Sequence, residues 1–518
     1  MNQQIDLPNT DNLIPNPSIS SRAILAGSAF WALLYIIFGY STLFPNFYGG
    51  VNIPVLVLGY YISVHMVLGR QINYRNHGAW IYFLITIPIS LAHMIYDNDQ
   101  FLVFNIVLLF FLLFYQTLLA CRLKEDRHSN FFRLFYDMLC DSFMKPFSAW
   151  NGIAHVFKYI SKSKEDGSNE VAKKKSGAFN LVIGVSASLA VLLISAALLY
   201  NMDYTFSSYI DKIEINIGDL FGRVFVFGLV FFLVLSALYS FRFKRDKHKY
   251  TGKTPFMIPS AIMLWVLVPL TALYVFFSAI QISYLFNGGY NDVTLSYSAN
   301  SAFALFVIAA VINYVVFATA QYITEVSGKG TKQAMMWFSV ILLVCTAILL
   351  FSGLNRLVVY QNSYGYTMRR LMPFAAYIIM IAVMLVTAAS LFVKKLPLFK
   401  LIWLIPLFGI MLFNVSCPNG IIAKMNIDRA HAGYELDTGY LMHELSADAM
   451  PYIMDAYQNG EFDIDRHGII DGYFYEYKGI GKRLAIQDWQ SFNISRYNAL
   501  QSFELQRDNT FKQRIQNR

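Results

Sequence analysis

The run FLVFNIVLLFFLLFYQTLLAC, from Phe101 to Cys121, holds 21 residues without a charge. About 20 apolar residues in a helix are enough to cross the hydrocarbon core of a bilayer. The whole chain agrees with this run, since 56% of its 518 residues are hydrophobic and only 14% are charged. Such a composition excludes a soluble enzyme, a disordered chain and a fibrous repeat, and it indicates an integral membrane protein.

By the same criterion the chain contains eleven apolar runs, at 23–44, 51–69, 78–96, 101–121, 178–200, 224–241, 257–286, 296–323, 334–354, 373–393 and 401–417. They predict an all-α polytopic membrane protein with about eleven transmembrane helices. A small, mostly helical C-terminal extramembrane domain is expected to follow them. The stretch 355–372 either merges with the tenth span or forms its own interfacial helix.

Five segments describe the predicted organisation. They are a cytoplasmic tail (1–22), the first four transmembrane helices (23–121), a basic cytoplasmic loop with an interfacial helix (122–177), seven transmembrane helices (178–417) and an extracytoplasmic C-terminal domain (418–518). The 122–177 loop has two interpretations, which are binding of anionic lipid and a solvated basic loop.

The basic residues predict the orientation. If the N-terminus is inside, the cytoplasmic segments hold 25 Lys and Arg, whereas the outer loops hold five. Because cytoplasmic loops carry an excess of Lys and Arg, we expect the N-terminus inside and the C-terminus outside a bacterial cytoplasmic (inner) membrane. The net charge of +9 is thereby explained by topology and does not indicate nucleic-acid binding. The bilayer is the expected partner, and no segment identifies a protein partner.

Two residues near the end of the third run are candidates for catalysis. His93 and Asp97 are four residues apart and share a face on a helix. A carboxylate that orients an imidazole is the arrangement of a general base, although a structural hydrogen bond is the alternative. The chain lacks the common hydrolase, phosphate-loop and metalloprotease motifs, and its Cys and His residues are too scattered for a metal site. We therefore expect no metal and no cofactor, and the sequence favours a non-enzymatic protein.

A second group of candidate residues lies in NRLVVYQNSYGYTMRR, residues 355–370. On one continuous helix, the spacing would place five side chains within an arc of about 120°. These are Arg356, Tyr360, Tyr364, Thr367 and Arg370. Guanidinium groups bind phosphate in bidentate fashion, so the pattern predicts a site for an anionic lipid headgroup or a lipid-linked phosphate. The alternative is that both Arg residues pair with acidic groups of the C-terminal domain.

The pattern R-L-x-x-Y-x-x-x-Y-G-x-T-x-x-R, from Arg356 to Arg370, resembles the signature of an uncharacterised bacterial membrane family, domain of unknown function 4153/4173. Three later stretches resemble that family's C-terminal blocks in the same order: IIAKMNIDRA, LDTGYLMHELSADAMP and DWQSFNISRYNAL. The resemblance is best over 280–505. It implies a polytopic bacterial membrane protein with an extramembrane tail, and it brings no activity, substrate or catalytic residue.

The C-terminal segment 418–518 has a different composition, with 14 acidic and 11 basic residues. Asp437 and Ser446 are predicted helix N-caps, because each precedes apolar residues at helical spacing. The expected buried face carries Leu441, Leu445 and Ala449, then Ile453 and Tyr457. Alternation over 468–481 indicates a strand, and a helix starting near Asp488 is expected to turn Trp489, Phe492 and Leu500 inward.

Three functional hypotheses follow. The first is a non-enzymatic envelope protein that binds or moves an amphiphilic or anionic ligand at the outer face of the membrane. The second is a membrane-embedded transferase that acts on a lipid-linked substrate through His93 and the face formed by Arg356 and Arg370. The third is a membrane sensor or scaffold.

Overall fold

A computed structural model describes residues 17–40, 48–121, 217–243, 258–286, 302–393, 396–459 and 489–502, apart from positions 75, 98, 323, 326 and 327. Two compact units divide the chain. Unit 1 takes in 1–83, 106–125 and 138–247, and unit 2 takes in 84–105, 126–137 and 248–518.

The described residues are almost entirely helical. The helices are α1 (Pro17–Leu34, continued by a π-helical turn at Tyr35–Gly39), α2 (Asn52–Leu68), α3 (His77–Ile95), α4 (Leu102–Ala120), α5 (Ile217–Phe243), α6 (Ser260–Phe286), α7 (Ala302–Tyr322), α8 (Lys329–Tyr364), α9 (Met368–Phe392), α10 (Leu398–Val415), α11 (Pro418–His431), α12 (Thr438–His443) and α13 (Met450–Gln458). A last helix, α14, is described over 494–502. Two short strands, β1 (Ile258–Pro259) and β2 (Thr324–Glu325), pair in parallel.

Eight of the described helices are long and apolar enough to cross a membrane: α1 with its π-helical turn, α3, α4, α5, α6, α8, α9 and α10. Two shorter apolar helices, Asn52–Leu68 and Leu305–Gln321, coincide with two more of the predicted runs. The predicted class, an α-helical membrane protein, is confirmed. The count of eleven stays a prediction, because the run at 178–200 lies outside the described residues, as do the 122–177 loop and the strand at 468–481.

The stretch 355–372 differs from both predicted arrangements. Its first part continues the preceding span, so that α8 is a single helix of 36 residues ending at Tyr364. Gly365 then adopts φ +80°, a left-handed conformation that glycine reaches without steric cost. The next span, α9, begins at Met368. The five predicted site residues therefore do not share one helix.

Unit 1 is held by hydrogen bonds that satisfy polar groups between apolar helices. The Ser63 hydroxyl of α2 donates to the Gly27 carbonyl of α1 at 3.1 Å. The Tyr60 and Thr117 hydroxyls lie 2.8 Å apart and join α2 to α4. Such bonds are expected between membrane helices, where lipid offers no partner for a polar group.

The helices α7, α8 and α9 of unit 2 share a core that includes Phe303, Phe306, Leu357 and Tyr377. Gly353 allows α8 and α9 to approach closely, because a Cβ atom at this position would lie 2.7 Å from Cζ of the fully buried Tyr377. Small residues at such contacts are typical of helix packing in membranes.

The described part of the C-terminal segment packs against the ends of α9 and α10 in one apolar cluster. The predicted buried face is confirmed at Leu441, Leu445, Ala449 and Ile453, which are each at most 2% exposed, whereas the Tyr457 side chain lies outside the described part of the structure. Met368 of α9 belongs to the same cluster, and Phe413 of α10 packs against it. Of the two predicted caps, Asp437 is confirmed, because its carboxylate accepts the Tyr440 backbone N–H at 2.9 Å. Ser446 precedes a short turn, Ala447–Ala449, and its side chain makes no capping bond.

One prediction in this segment is wrong for two of its three residues, whereas the third, Leu500, is partly buried and packs against the apolar cluster. Trp489 and Phe492 are 65% and 42% exposed, whereas an inward position was expected for both. The final helix begins at 494, six residues after the predicted start near Asp488, and this shift turns a different face inward. The largest fully buried side chain of that helix is Arg496.

Candidate functional site

The connection between α8 and α9 is bound by two arginine side chains. Arg370 Nη1 donates to the carbonyls of Tyr364 at 2.8 Å and Gly365 at 2.6 Å. Arg429 of α11 donates from Nε to the Asn362 carbonyl at 3.2 Å and from Nη2 to the Ser363 carbonyl at 2.8 Å. The carbonyls at a helix C-terminus lack intrahelical partners and carry partial negative charge, so both guanidinium groups stabilise the end of α8.

Tyrosine rings support Arg370 from the side of α8. Its guanidinium carbon lies 4.5 Å from the ring centre of Tyr360 and 5.9 Å from that of Tyr364. Arg370 is half-buried, and no carboxylate of the described residues forms an ion pair with it. Stacked guanidinium groups keep their edge available for bidentate hydrogen bonds, so this arrangement suits an anion.

Arg356 lies deeper, two turns before the end of α8. Its Nη2 donates to Gln281 Oε1 of α6 at 2.5 Å, and its guanidinium carbon lies 5.5 Å from the ring centre of Phe306. Tyr360 contacts Phe303 with ring centres 6.4 Å apart. Aromatic side chains of α7 therefore flank both Arg356 and Tyr360, one turn apart on α8.

Thr367, the remaining residue of the predicted set, has extended backbone at the N-cap position of α9. Its carbonyl accepts from the backbone N–H groups of Arg370 at 3.0 Å and Leu371 at 2.9 Å, and its side chain makes no capping bond. The structure thus brings Arg370 together with Tyr360 and Tyr364, and it places Arg356 and Thr367 at either side of this group.

The predicted pair His93 and Asp97 forms no hydrogen bond. His93 is buried at the end of α3, and the Asn105 amide nitrogen lies 3.0 Å from its Nε2 atom. Because an amide nitrogen donates, Nε2 accepts, and with this amide orientation a neutral imidazole carries its proton on Nδ1. That Nδ1 atom has no partner among the described residues.

Asp97 instead forms an ion pair with a residue of the last helix. Its Oδ1 atom accepts from Arg496 Nε at 2.8 Å and Nη2 at 2.5 Å, and both side chains are 1% exposed. Its Oδ2 atom accepts the Ala447 backbone N–H at 3.1 Å. A carboxylate held in this way is not oriented towards the imidazole.

Two further buried side chains complete what we call the Asp97 cluster: Asp97, Arg496, Asp448 and Asn493. The Asp448 carboxylate accepts the Asp97 backbone N–H at 3.1 Å, and the Asn493 amide donates to the carbonyls of His93 and Tyr96, both at 2.9 Å. Sequence reasoning missed Asp448, Asn493 and Arg496. The only signal was that these residues stand in the blocks LDTGYLMHELSADAMP and DWQSFNISRYNAL.

The Asp97 cluster is expected to respond to pH. Burial, followed by the charge of Asp97, raises the pKa of Asp448 from 3.8 to about 6. A carboxyl group with a raised pKa stabilises the folded state fully below its unfolded pKa, and this stabilisation is lost as pH rises through the folded pKa. Asp97 is its charged neighbour, the Ser495 and Ser446 side chains and the Asp97 backbone N–H donate hydrogen bonds to it, and Tyr96 and Cys417 also interact with it electrostatically.

We therefore predict that the C-terminal segment is held on the α3–α4 connection more tightly at acidic pH. The equilibrium constant for attachment should rise about tenfold between about pH 7.5 and about pH 5. Limited proteolysis of this segment, corrected for protease activity, measures the change. Asp448→Asn should abolish the pH dependence, and an unchanged dependence in that variant would contradict the assignment.

No group of three or more His, Cys, Asp or Glu side chains in the described part of the chain is arranged to hold a metal ion.

The apolar helices and these contacts define an integral membrane protein whose C-terminal segment packs at one end of the unit 2 helices. Residues 83–456 match the family described as Domain of unknown function (DUF4153). The match covers more than half of the chain, so the protein belongs to this family, as the sequence motifs predicted. No curated protein and no solved structure matches the chain.

Proposed function

We propose that this DUF4153 protein binds the anionic group of an amphiphilic ligand at the α8–α9 connection. The observation that carries the proposal is the half-buried Arg370 guanidinium, stacked on Tyr360 and Tyr364, with no carboxylate partner among the described residues. A cation in this position attracts an anion, and nearby phenol groups add hydrogen bonds.

The helices α7 and α8 also carry exposed apolar side chains, on faces turned away from the contact between Phe303 and Tyr360. Phe351 and Val358 of α8 are 65% and 37% exposed, and Leu305 and Ile308 of α7 are 61% and 53% exposed. In a membrane these side chains contact lipid tails. A headgroup at Arg370, at the end of an apolar helix, would have its chains among the lipid tails that surround these helices.

We further propose that this connection faces the outside of a bacterial cytoplasmic membrane. Its support is the distribution of Lys and Arg in the sequence. In unit 2 the ends of α3, α8 and α10 all contact the C-terminal segment, so one orientation applies to all of them. An alkaline phosphatase fused after Arg518 should be active in cells. An inactive but stably produced fusion would show that the orientation is the opposite of the one proposed.

A transferase that uses His93 and Asp97 is less well supported, because the Asp97 carboxylate bonds with Arg496 and Ala447 and neither imidazole nitrogen contacts it. Turnover of a lipid-linked substrate by the wild type, lost in the His93→Gln variant, would support the transferase over the binding protein.

The Arg370 site predicts a specific mutational pattern. Arg370→Ala should weaken stabilisation of the purified protein by phosphatidylglycerol at least tenfold, because a charge-assisted, bidentate contact is lost. Arg370→Lys keeps the charge without the planar fork, so its stabilisation by the lipid should lie between that of the wild type and that of Arg370→Ala. The measurement is the shift of thermal unfolding against lipid concentration in neutral detergent.

Arg369→Ala is the matched control, since Arg369 is the exposed neighbour of Arg370 and its loss changes the net charge equally. Reading the lipid-induced shift, and not the melting temperature itself, separates ligand binding from the capping of α8. If Arg370→Ala and Arg369→Ala respond equally to the lipid, the proposed function is wrong.

A further inference from the structure

Arg429 shares the surroundings of Arg370 although it comes from a different part of the chain. The two guanidinium groups bind four consecutive carbonyls at the end of α8, those of residues 362 to 365. They also flank the same glycine, because Arg370 Nη1 lies 2.6 Å from the Gly365 carbonyl oxygen and Arg429 Nη1 lies 3.1 Å from the position of a Cβ atom on Gly365.

Each group keeps donors that the described protein atoms do not use. Arg370 bonds only through Nη1, which leaves Nε and Nη2, and Arg429 bonds through Nε and Nη2, which leaves Nη1. Arg429 is stacked on Tyr434 at 4.4 Å, as Arg370 is stacked on Tyr360. No carboxylate of the described residues forms an ion pair with either one.

Two cations that flank the same glycine repel each other. The partial negative charge at the helix end offsets only about half an elementary charge. An anion between them removes the remaining repulsion and receives hydrogen bonds from both. A phosphate group, whose unesterified oxygens point in different directions around a tetrahedral phosphorus, can accept from two guanidinium groups at once, which suits this pair better than a planar carboxylate does.

We propose that Arg429 is a second ligand of the anion bound at Arg370, and that the anion is a phosphate group bridging α9 and α11. This inference rests on the proposed function and adds to it the chemical class of the ligand and a residue outside the 355–370 pattern. It also ties the C-terminal segment to ligand binding, since Arg429 belongs to α11, which packs against α13 in the apolar cluster of that segment.

The experiment titrates the full-length purified protein with two probes, inorganic phosphate and phosphatidylglycerol in neutral detergent, and follows thermal unfolding. Arg429→Ala is expected to weaken both responses at least tenfold if the bridging group is any phosphate. Loss of the lipid response alone, with no effect of inorganic phosphate on the wild type, assigns the site to a lipid headgroup. Lys424→Ala, an exposed cation on the same helix, is the control.

A double-mutant cycle separates a shared anion from two independent cations. If one phosphate bridges both groups, the combined Arg370→Ala and Arg429→Ala changes weaken binding much less than the product of the single effects. If Arg370→Ala weakens binding and Arg429→Ala lowers only the melting temperature without ligand, Arg429 is a structural cap and this inference is overturned while the proposed function stands. No response of the wild type to either probe overturns both.

Discussion

Replacing Arg496 with alanine is expected to lower the free energy of unfolding by about 3–5 kcal/mol, the range for breaking a buried ion pair from one side. The change leaves the Asp97 carboxylate buried without its cation, next to the carboxylate of Asp448. It also removes the largest fully buried side chain of the described residues. Unfolding in mixed micelles, titrated with a denaturing detergent, measures the loss.

The exposed Arg369 again provides the control, because Arg369→Ala should stay within about 0.5 kcal/mol of the wild type. Adding Asp97→Asn to Arg496→Ala should restore part of the stability, since the uncompensated charge then disappears. If Arg496→Ala is as mild as Arg369→Ala, the ion pair does not hold the C-terminal segment in place.

Gly353→Ala is expected to destabilise the protein by about 1–3 kcal/mol, which is the usual cost of overpacking. The added methyl group would lie 2.7 Å from Cζ and 2.9 Å from Cε1 of Tyr377, and closer still to its hydroxyl oxygen. Tyr377 is fully buried, so its ring has no space into which to withdraw. The two helices must separate or the ring must leave its position.

Gly228→Ala is the matched control, because Gly228 also lies inside a helix and has nothing within 4 Å of the position of an added Cβ atom. There the change should stabilise the helix by about 0.5–1 kcal/mol through lower backbone entropy in the unfolded chain. Tyr377→Phe should recover part of the loss at Gly353. Equal effects of the two glycine substitutions would show that α8 and α9 do not pack as described.

The membrane helices were predictable because their signal is local. A run such as 101–121 contains enough apolar residues to cross a bilayer, and the helix found there, Leu102–Ala120, needs no information from elsewhere in the chain. The same holds for the Asp437 cap, which depends on residues three positions apart.

The points where helices end and the pairing of residues far apart in the sequence were not predictable in the same way. Helical spacing treats 355–370 as one helix. In the structure the chain turns at Gly365, and Arg370 contacts Tyr360 from the next helix. His93 and Asp97 are close in sequence, yet the partner of Asp97 is 399 residues away. Periodicity describes neighbours on one helix and carries no information about a pairing across such a separation.

The distance in sequence between Asp97 and Arg496 also has a consequence for synthesis of the chain. At about 5–20 residues per second, a separation of 399 residues corresponds to roughly 20–80 s of translation. During that time the α3–α4 connection exists without the arginine that compensates its carboxylate. A chain that stalls or is cut before residue 496 keeps an unmatched acidic group at this connection, and quality-control proteases have a chemical difference by which to distinguish it from the finished protein.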